Sequence, residues 1–202
     1  MRKAILHLKQ ADPVLAGIID TVGPCRMQYR EPVFDTLARS IIFQQLSGRV
    51  ATVIFDRLAA AASAGAVLLP EAVLALSHDQ MRACGLSNQK ERYLRDLAER
   101  TLAGHLKFDI LSSLDEEAVT EHLTQVKGVG VWTSHMFLMF ALRRPDVLPV
   151  GDLGIQTAMK RAYRMRQLPK PARMEKIAAR WRPWCSVACW YLWRSLEGDA
   201  VI

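Results

Sequence analysis

Half of the 202 residues are hydrophobic, so the chain is long enough to bury a sizeable core and too apolar to stay disordered. No run of about 20 uninterrupted apolar residues occurs, which excludes a membrane-spanning helix, and MRKAILHLKQADP has too short an apolar run for a secretory signal. Lys and Arg total 27 against 20 Asp and Glu, a net charge of +7 that favours a polyanionic partner.

Residues 1 to 31 are mixed, and Pro13, Gly23 and Pro24 break any long helix. Asp12 before Pro13 is placed to cap a short helix through Ile19. From Pro32 the pattern is helical, with Phe34, Leu37, Ala38, Ile41 and Ile42 on one face. Ser47 is a good N-cap for a helix carrying Val50, Ala51, Ile54, Phe55 and Leu58. Two helices therefore meet at Gln44 to Ser47. Ala59 to Ala66 is alanine-rich and reads as helix end and linker. Short helices come next: Glu71 to Leu76, and one capped by Ser77 that ends at Gly85. Ser87 caps a longer helix with Tyr93, Leu94, Leu97 and Leu102 inward, and Asp115 caps the next. After Pro169 and Pro171, two aromatic-rich helices close the chain. No strand-like alternation of useful length appears, so the fold class is all-α.

Leu123 to Asp152, LTQVKGVGVWTSHMFLMFALRRPDVLPVGD, carries the most information. An apolar helix end runs into Gly128-Val129-Gly130, and a second apolar helix starts near Val131. Two glycines this close to a helix start allow a sharp turn and a close approach by another molecule. The amides of the new helix suit an anion such as a phosphate. A plain helix–helix turn with a glycine cap fits the same residues. A helix from Val131 to about Leu142 would be roughly 18 Å long. Arg143 to Asp152, if extended, reaches up to about 33 Å. Asp152 can thus return to the level of the glycine turn, directly before a helical pattern from Leu153 to Met165.

These pieces, with FQQLSGRVA at Phe43 to Ala51, CGLSNQKERYL at Cys84 to Leu94 and WRPWCSVACWYLWR at Trp181 to Arg194, resemble the helix-hairpin-helix DNA glycosylases. Within that superfamily the chain looks most like the alkylation-repair branch, 3-methyladenine DNA glycosylase II. The resemblance implies two helical subdomains with the active-site cleft between them. Residues 1–50 plus 161–202 would form one, and 51–160, with the hairpin at 123–143, the other. It further implies a monofunctional enzyme that flips alkylated bases out of double-stranded DNA and hydrolyses their N-glycosyl bonds. A monomer located in the cytoplasm, on the nucleoid in a bacterium, is expected. The chain begins too close to its helices for the extra N-terminal β domain of some longer members.

The resemblance assigns roles residue by residue. Asp152 would be the catalytic carboxylate, at a helix N-terminus that favours negative charge; by pattern alone it reads as an N-cap. Trp132 stands where bifunctional relatives carry a nucleophilic lysine, so no Schiff base is expected and an intact abasic site would remain. Trp132 is also apt for stacking on a cationic alkylated base. With Trp184 and Phe43 it would line the base pocket, whereas Trp181, Trp190, Tyr191 and Trp193 read as core or surface edge. Leu46, with Gln45, would fill the gap left by the flipped base, although leucine is more often core. Gly128, Gly130, Lys127 and Thr133 would grip phosphate. The carbonyls of Thr124, Val126 and Val129 match a sodium or potassium site of family hairpins. The basic run Lys160 to Arg166 would face either DNA or solvent.

Cys25, Cys84, Cys185 and Cys189 lack the spacing for a zinc site or for the iron–sulfur cluster of some relatives, so buried thiols and no required cofactor are expected. Family members often have arginine where this chain has Cys185. Three other readings fit parts of the pattern: a non-catalytic helix-hairpin-helix module, a glycosylase for another lesion class, and an all-α scaffold with incidental charge.

Overall fold

The computed structural model describes residues 1–62 and 67–197. It is all-helical, and no strand occurs among the described residues. No described helix is long and apolar enough to cross a membrane. Of the alanine-rich stretch expected as helix end and linker, residues 63–66 lie outside the described residues.

The chain divides into two compact units. The middle unit, Arg30–Leu142, holds α3 (Phe34–Phe43), α4 (Gly48–Ala61), α5 (Pro70–Ala75), α6 (His78–Ala83), α7 (Asn88–Leu102), a 3₁₀ turn at Leu111–Ser113, α8 (Glu116–Thr124) and α9 (Val131–Phe140). The helix α3 packs on α4, α7 and α9, and buries Phe34, Leu37, Ala38, Ile41 and Ile42. That is the apolar face expected from its periodicity. Ser47, Ser77, Ser87 and Asp115 each accept an amide hydrogen bond at the start of the helix they precede, and Ser77 forms a capping box with Gln80. Each offsets one of the four amides a helix start leaves unpaired. Leu102, expected to face inward, is exposed, as is Val50.

The terminal unit joins Met1–Tyr29 to the chain from Arg143 onward. It holds α1 (Arg2–Ala11), α2 (Pro13–Val22), α10 (Leu153–Ala162), α11 (Pro171–Ala178) and α12 (Cys185–Glu197). The helix α12 packs on α1, α2 and α10, and buries Cys185, Ser186, Val187, Ala188, Cys189, Trp190, Tyr191 and Leu192. Asp12 caps α2 as its position before Pro13 suggests, accepting from the Val14 and Leu15 amides. It also accepts from Tyr163 Oη at 2.5 Å and Trp181 Nε1 at 2.9 Å. This fully buried carboxylate therefore ties the start of α2 to residues more than 150 positions away.

Three further expectations differ from the structure. The units meet at residues 29/30 and 142/143, not at 50/51 and 160/161, because α3 packs into the middle unit and α10 packs on α12. The helix after Asp152 ends at Ala162 instead of Met165, where Arg164 takes a left-handed φ of 51°. Of the two closing helices only α12 is aromatic-rich; α11 carries no aromatic residue, and Trp181 and Trp184 lie in the turn after it.

Candidate functional site

The hairpin of the middle unit is built on buried apolar anchors. Leu123, Val126 and Val129 are buried, whereas Gly128 and Gly130 are exposed. Gly128 has φ +81°, the left-handed region that side chains rarely adopt. A Cβ there would lie 2.1 Å from Cδ2 of Tyr93 on α7, so the tyrosine ring occupies the space a side chain would need. Gly130 is the N-cap of α9, and no side chain caps that helix start. The start of a helix is the positive end of its dipole, which suits an anion.

Gln44, just past the end of α3, reaches this turn. Its Nε2 donates to the Gly128 carbonyl at 2.9 Å and to Thr133 Oγ1 at 3.2 Å. Around it lies a cavity of ≈ 490 Å³ lined by Phe43, Gln44, Gln45, Gly128, Trp132 and Thr133, with Ser40 and Met136 at its wall. Five expected site residues thus share one cavity. Trp132 is 46% exposed, which removes core packing as its explanation. Thr133 is buried, and its hydroxyl oxygen is engaged by Gln44. Leu46 is 37% exposed on the turn between α3 and α4, not in the core where leucine statistics would put it. The Arg39 guanidinium lies 4.4 Å from the Phe43 ring centroid and 4.7 Å from that of Phe55, and so backs the aromatic wall.

Lys127 has a partner the sequence did not reveal. Its amide donates to Asp96 Oδ2 at 2.9 Å, and its ammonium lies 3.1 Å from Oδ1. Arg100 also donates to Asp96. Burial raises the Asp96 pKa, and the hydrogen bonds from Lys127 and Arg100 outweigh it, leaving the carboxyl below its usual range. Asp96 thereby pins the hairpin backbone to α7 and shares the Lys127 charge. The carbonyls of Thr124 and Val126 lie at and just past the C-terminus of α8, the negative end of its dipole, and Val129 directly precedes the N-cap of α9. The Val126 carbonyl accepts the Val129 amide at 3.0 Å, and a carbonyl has a second lone pair for a cation. Neutral oxygens of this kind fit an alkali ion.

In the terminal unit Asp152 is 7% exposed and caps α10. Its Oδ1 accepts from the Ile155 amide at 2.7 Å and from Trp193 Nε1 at 2.9 Å. A Cβ on Gly154 would sit 3.0 Å from both Asp152 Oδ1 and Trp193 Cδ1, so the glycine leaves room for the indole. The carboxylate is therefore held in one orientation by two donors from different elements. Trp193 is thus more than a core or surface-edge residue, and one sequence carries no signal that position 193 meets position 152. Trp184 lies half-buried just before α12. Trp181 and Tyr191 are core. All four cysteines are free thiols. Burial, then Cys185 and Asp152, push the Cys189 thiol well above its ordinary pKa, which keeps it protonated. Cys185, fully buried, directs its thiol at the Ala178 carbonyl. Of the basic run, Arg161, Arg164 and Arg166 are exposed.

The family described as "HhH-GPD superfamily base excision DNA repair protein" matches residues 38–183. DNA-3-methyladenine glycosylase 1 of Schizosaccharomyces pombe is 33% identical over 200 residues, covering 96% of this chain and 87% of that protein. A solved S. pombe 3-methyladenine DNA glycosylase in complex with abasic DNA superposes with a TM-score of 0.85 at 34% identity, over 96% of this chain and 97% of the other. A DNA-3-methyladenine glycosidase from Bacillus halodurans superposes with a TM-score of 0.84 at 33% identity, over 98% and 90%.

Proposed function

We propose, because this chain belongs to the HhH-GPD superfamily of base excision DNA repair proteins, that it is a DNA N-glycosylase that hydrolytically removes alkylated bases of the 3-methyladenine and 7-methylguanine type. The observation that carries the reading is the identity to a DNA-3-methyladenine glycosylase along nearly the whole chain. Asp152 is the catalytic residue of this proposal. As the bond from sugar C1′ to the base nitrogen breaks, its electron pair leaves with the base and positive charge builds on the sugar, as in glycoside hydrolysis. A carboxylate at C1′ stabilises that charge. Water then bonds to C1′ and loses its proton, leaving an abasic site. No electrons are transferred, so the chemistry requires no redox cofactor. Trp132 is no amine nucleophile, so the strand remains intact.

The remaining roles are part of the same proposal. Trp132 stacks on the cationic base, whose charge favours the indole face, with Phe43 beside it in the same cavity. Leu46 and Gln45 occupy the gap in the duplex. The Gly128–Gly130 amides hold a backbone phosphate, with Thr133 supporting the turn and Lys127 adding charge shared with Asp96. The Thr124, Val126 and Val129 carbonyls are the donors for sodium or potassium, which would add positive charge beside that phosphate. The partner is double-stranded DNA, bound by a monomer. Such contacts go to backbone, so binding is largely sequence-independent and weakens steeply with salt.

The test is base release. Duplex DNA treated with a methylating agent is incubated with the protein, and free bases are identified by mass spectrometry. The expected products are 3-methyladenine and 7-methylguanine, with strands that break only after heating in alkali. DNA binding with no base released would leave a non-catalytic hairpin module in its place. Release of oxidised or mismatched bases alone would move the substrate to another lesion class.

The Asp152–Trp193 pair gives a further prediction. Trp193→Phe keeps an aromatic ring and removes the N–H donor to the carboxylate. A hydrogen bond to a charged group contributes about 1.5–3 kcal/mol. Single-turnover excision should fall at least about 10-fold, with helicity and DNA affinity unchanged. Excision at the wild-type rate would separate Trp193 from the chemistry.

A further inference from the structure

The turn carrying Leu46 is held by side chains that the proposed chemistry does not use. The helix α3 ends at Phe43, and the last carbonyls of a helix have no intrahelical partners. Lys90, in the first turn of α7, brings its ammonium to two of the carbonyls at this end. It donates to the Ile42 carbonyl and, at 2.7 Å, to the Gln44 carbonyl. A cation at a helix C-terminus also meets the negative end of the dipole. Lys90 is half-buried, and burial lowers its pKa from the ordinary lysine value.

The clasp matters because of the next residue in the chain. Gln45 has φ +57°, a left-handed backbone conformation at a residue that is not glycine. Such a conformation is unfavourable for a residue with a Cβ and persists where surrounding contacts enforce it. Lys90 holds the peptide carbonyl immediately before Gln45. From the other side the Gln44 amide holds the Gly128 carbonyl and Thr133. The turn is thereby indexed to α7 and to the hairpin at once. Leu46, one residue further on, is left exposed at its tip.

We propose that Lys90 is a positioning residue for Leu46: by clasping the Ile42 and Gln44 carbonyls it keeps the turn in the one conformation that presents the leucine to the duplex. This rests on the proposed role of Leu46 in filling the gap left by the flipped base. Lys90 touches neither base nor sugar. Its effect should pass through Leu46 and vanish when Leu46 is gone.

The experiment compares wild type, Lys90→Met, Lys90→Arg, Leu46→Ala and the Lys90→Met/Leu46→Ala double variant. Three quantities are read: single-turnover release of 7-methylguanine, the fluorescence rise of a 2-aminopurine placed beside the lesion, and affinity for undamaged duplex. Lys90→Met should slow release about 10-fold and lose most of the fluorescence rise, with undamaged-DNA affinity within about 2-fold of wild type. Lys90→Arg, which keeps the charge and donors, should recover to within about 3-fold. Leu46→Ala should also cost about 10-fold, and the double variant should be about as slow as Leu46→Ala alone, since coupled residues are non-additive. A Lys90→Met rate equal to wild type overturns the inference. So does a multiplied loss near 100-fold in the double variant. Loss of helical signal and of undamaged-DNA binding in Lys90→Met, or no recovery in Lys90→Arg, assigns the lysine to stability and overturns it too. A wild-type protein that releases no base sinks both this inference and the reading beneath it; an active wild type beside an indifferent Lys90→Met sinks this one alone.

Discussion

Asp152→Asn should fold, bind DNA and release alkylated base at no more than a small fraction of the wild-type rate. The substitution is nearly isosteric. Asparagine ranks with aspartate as an N-cap, so α10 keeps its start. The side-chain oxygen can still accept from the Ile155 amide and from Trp193, the two donors on Oδ1. What disappears is the negative charge. Removing one preorganised group that stabilises developing charge costs about 10²- to 10³-fold in rate. Single-turnover release of 7-methylguanine should therefore drop by that factor, while helical circular dichroism and duplex affinity remain at wild-type values. Wild-type release of 7-methylguanine by the asparagine variant would reduce Asp152 to a helix cap.

The second large effect is expected at Gly128. Alanine there combines two costs. The left-handed φ of +81° penalises any Cβ by roughly 1–2 kcal/mol. The new Cβ would also lie 2.1 to 2.6 Å from three atoms of the Tyr93 ring. Overpacking of this kind adds about 1–3 kcal/mol. Tyr93 cannot swing away freely, since its hydroxyl accepts a 2.6 Å hydrogen bond from Gln89. A total of about 2–5 kcal/mol should lower Tm by roughly 5–15 °C and weaken DNA binding through the displaced turn. Gly130→Ala is the contrast. Its φ of −99° suits any residue, and nothing lies within 4 Å of a Cβ there. Its stability should stay within about 0.5 kcal/mol of wild type, so any lost DNA affinity would come from the Cβ standing in the way of the phosphate. Equal thermal shifts in the two variants would contradict this assignment of the strain.

Local signals carried much of the fold. Ser47, Ser77, Ser87 and Asp115 cap the helices expected of them, since a cap is a contact across three residues. The α3 face was readable because its period of 3.6 residues is intrinsic to the helix. The same logic could not rank the aspartates. Asp12, Asp115 and Asp152 all precede helices and all accept amide hydrogen bonds. Asp115 is exposed, whereas Asp12 is fully buried between Tyr163 and Trp181. Asp152, almost buried, is oriented by Trp193. Family resemblance singled out Asp152 in the sequence; the partners of each carboxylate lie far along the chain and became visible only in the fold.

From the sequence alone came the all-α class, most helix starts, the glycine hairpin and the family, because each depends on near neighbours or on motif identity. Tertiary structure alone decided that α3 belongs to the middle unit, that Lys127 shares its charge with Asp96, and that Gln44, Tyr93 and Lys90 brace the hairpin and the Leu46 turn. Those contacts join residues about 30 to 90 positions apart. Packing brings such pairs together only when the whole apolar core closes, and no local pattern in one sequence encodes which distant side chain will arrive.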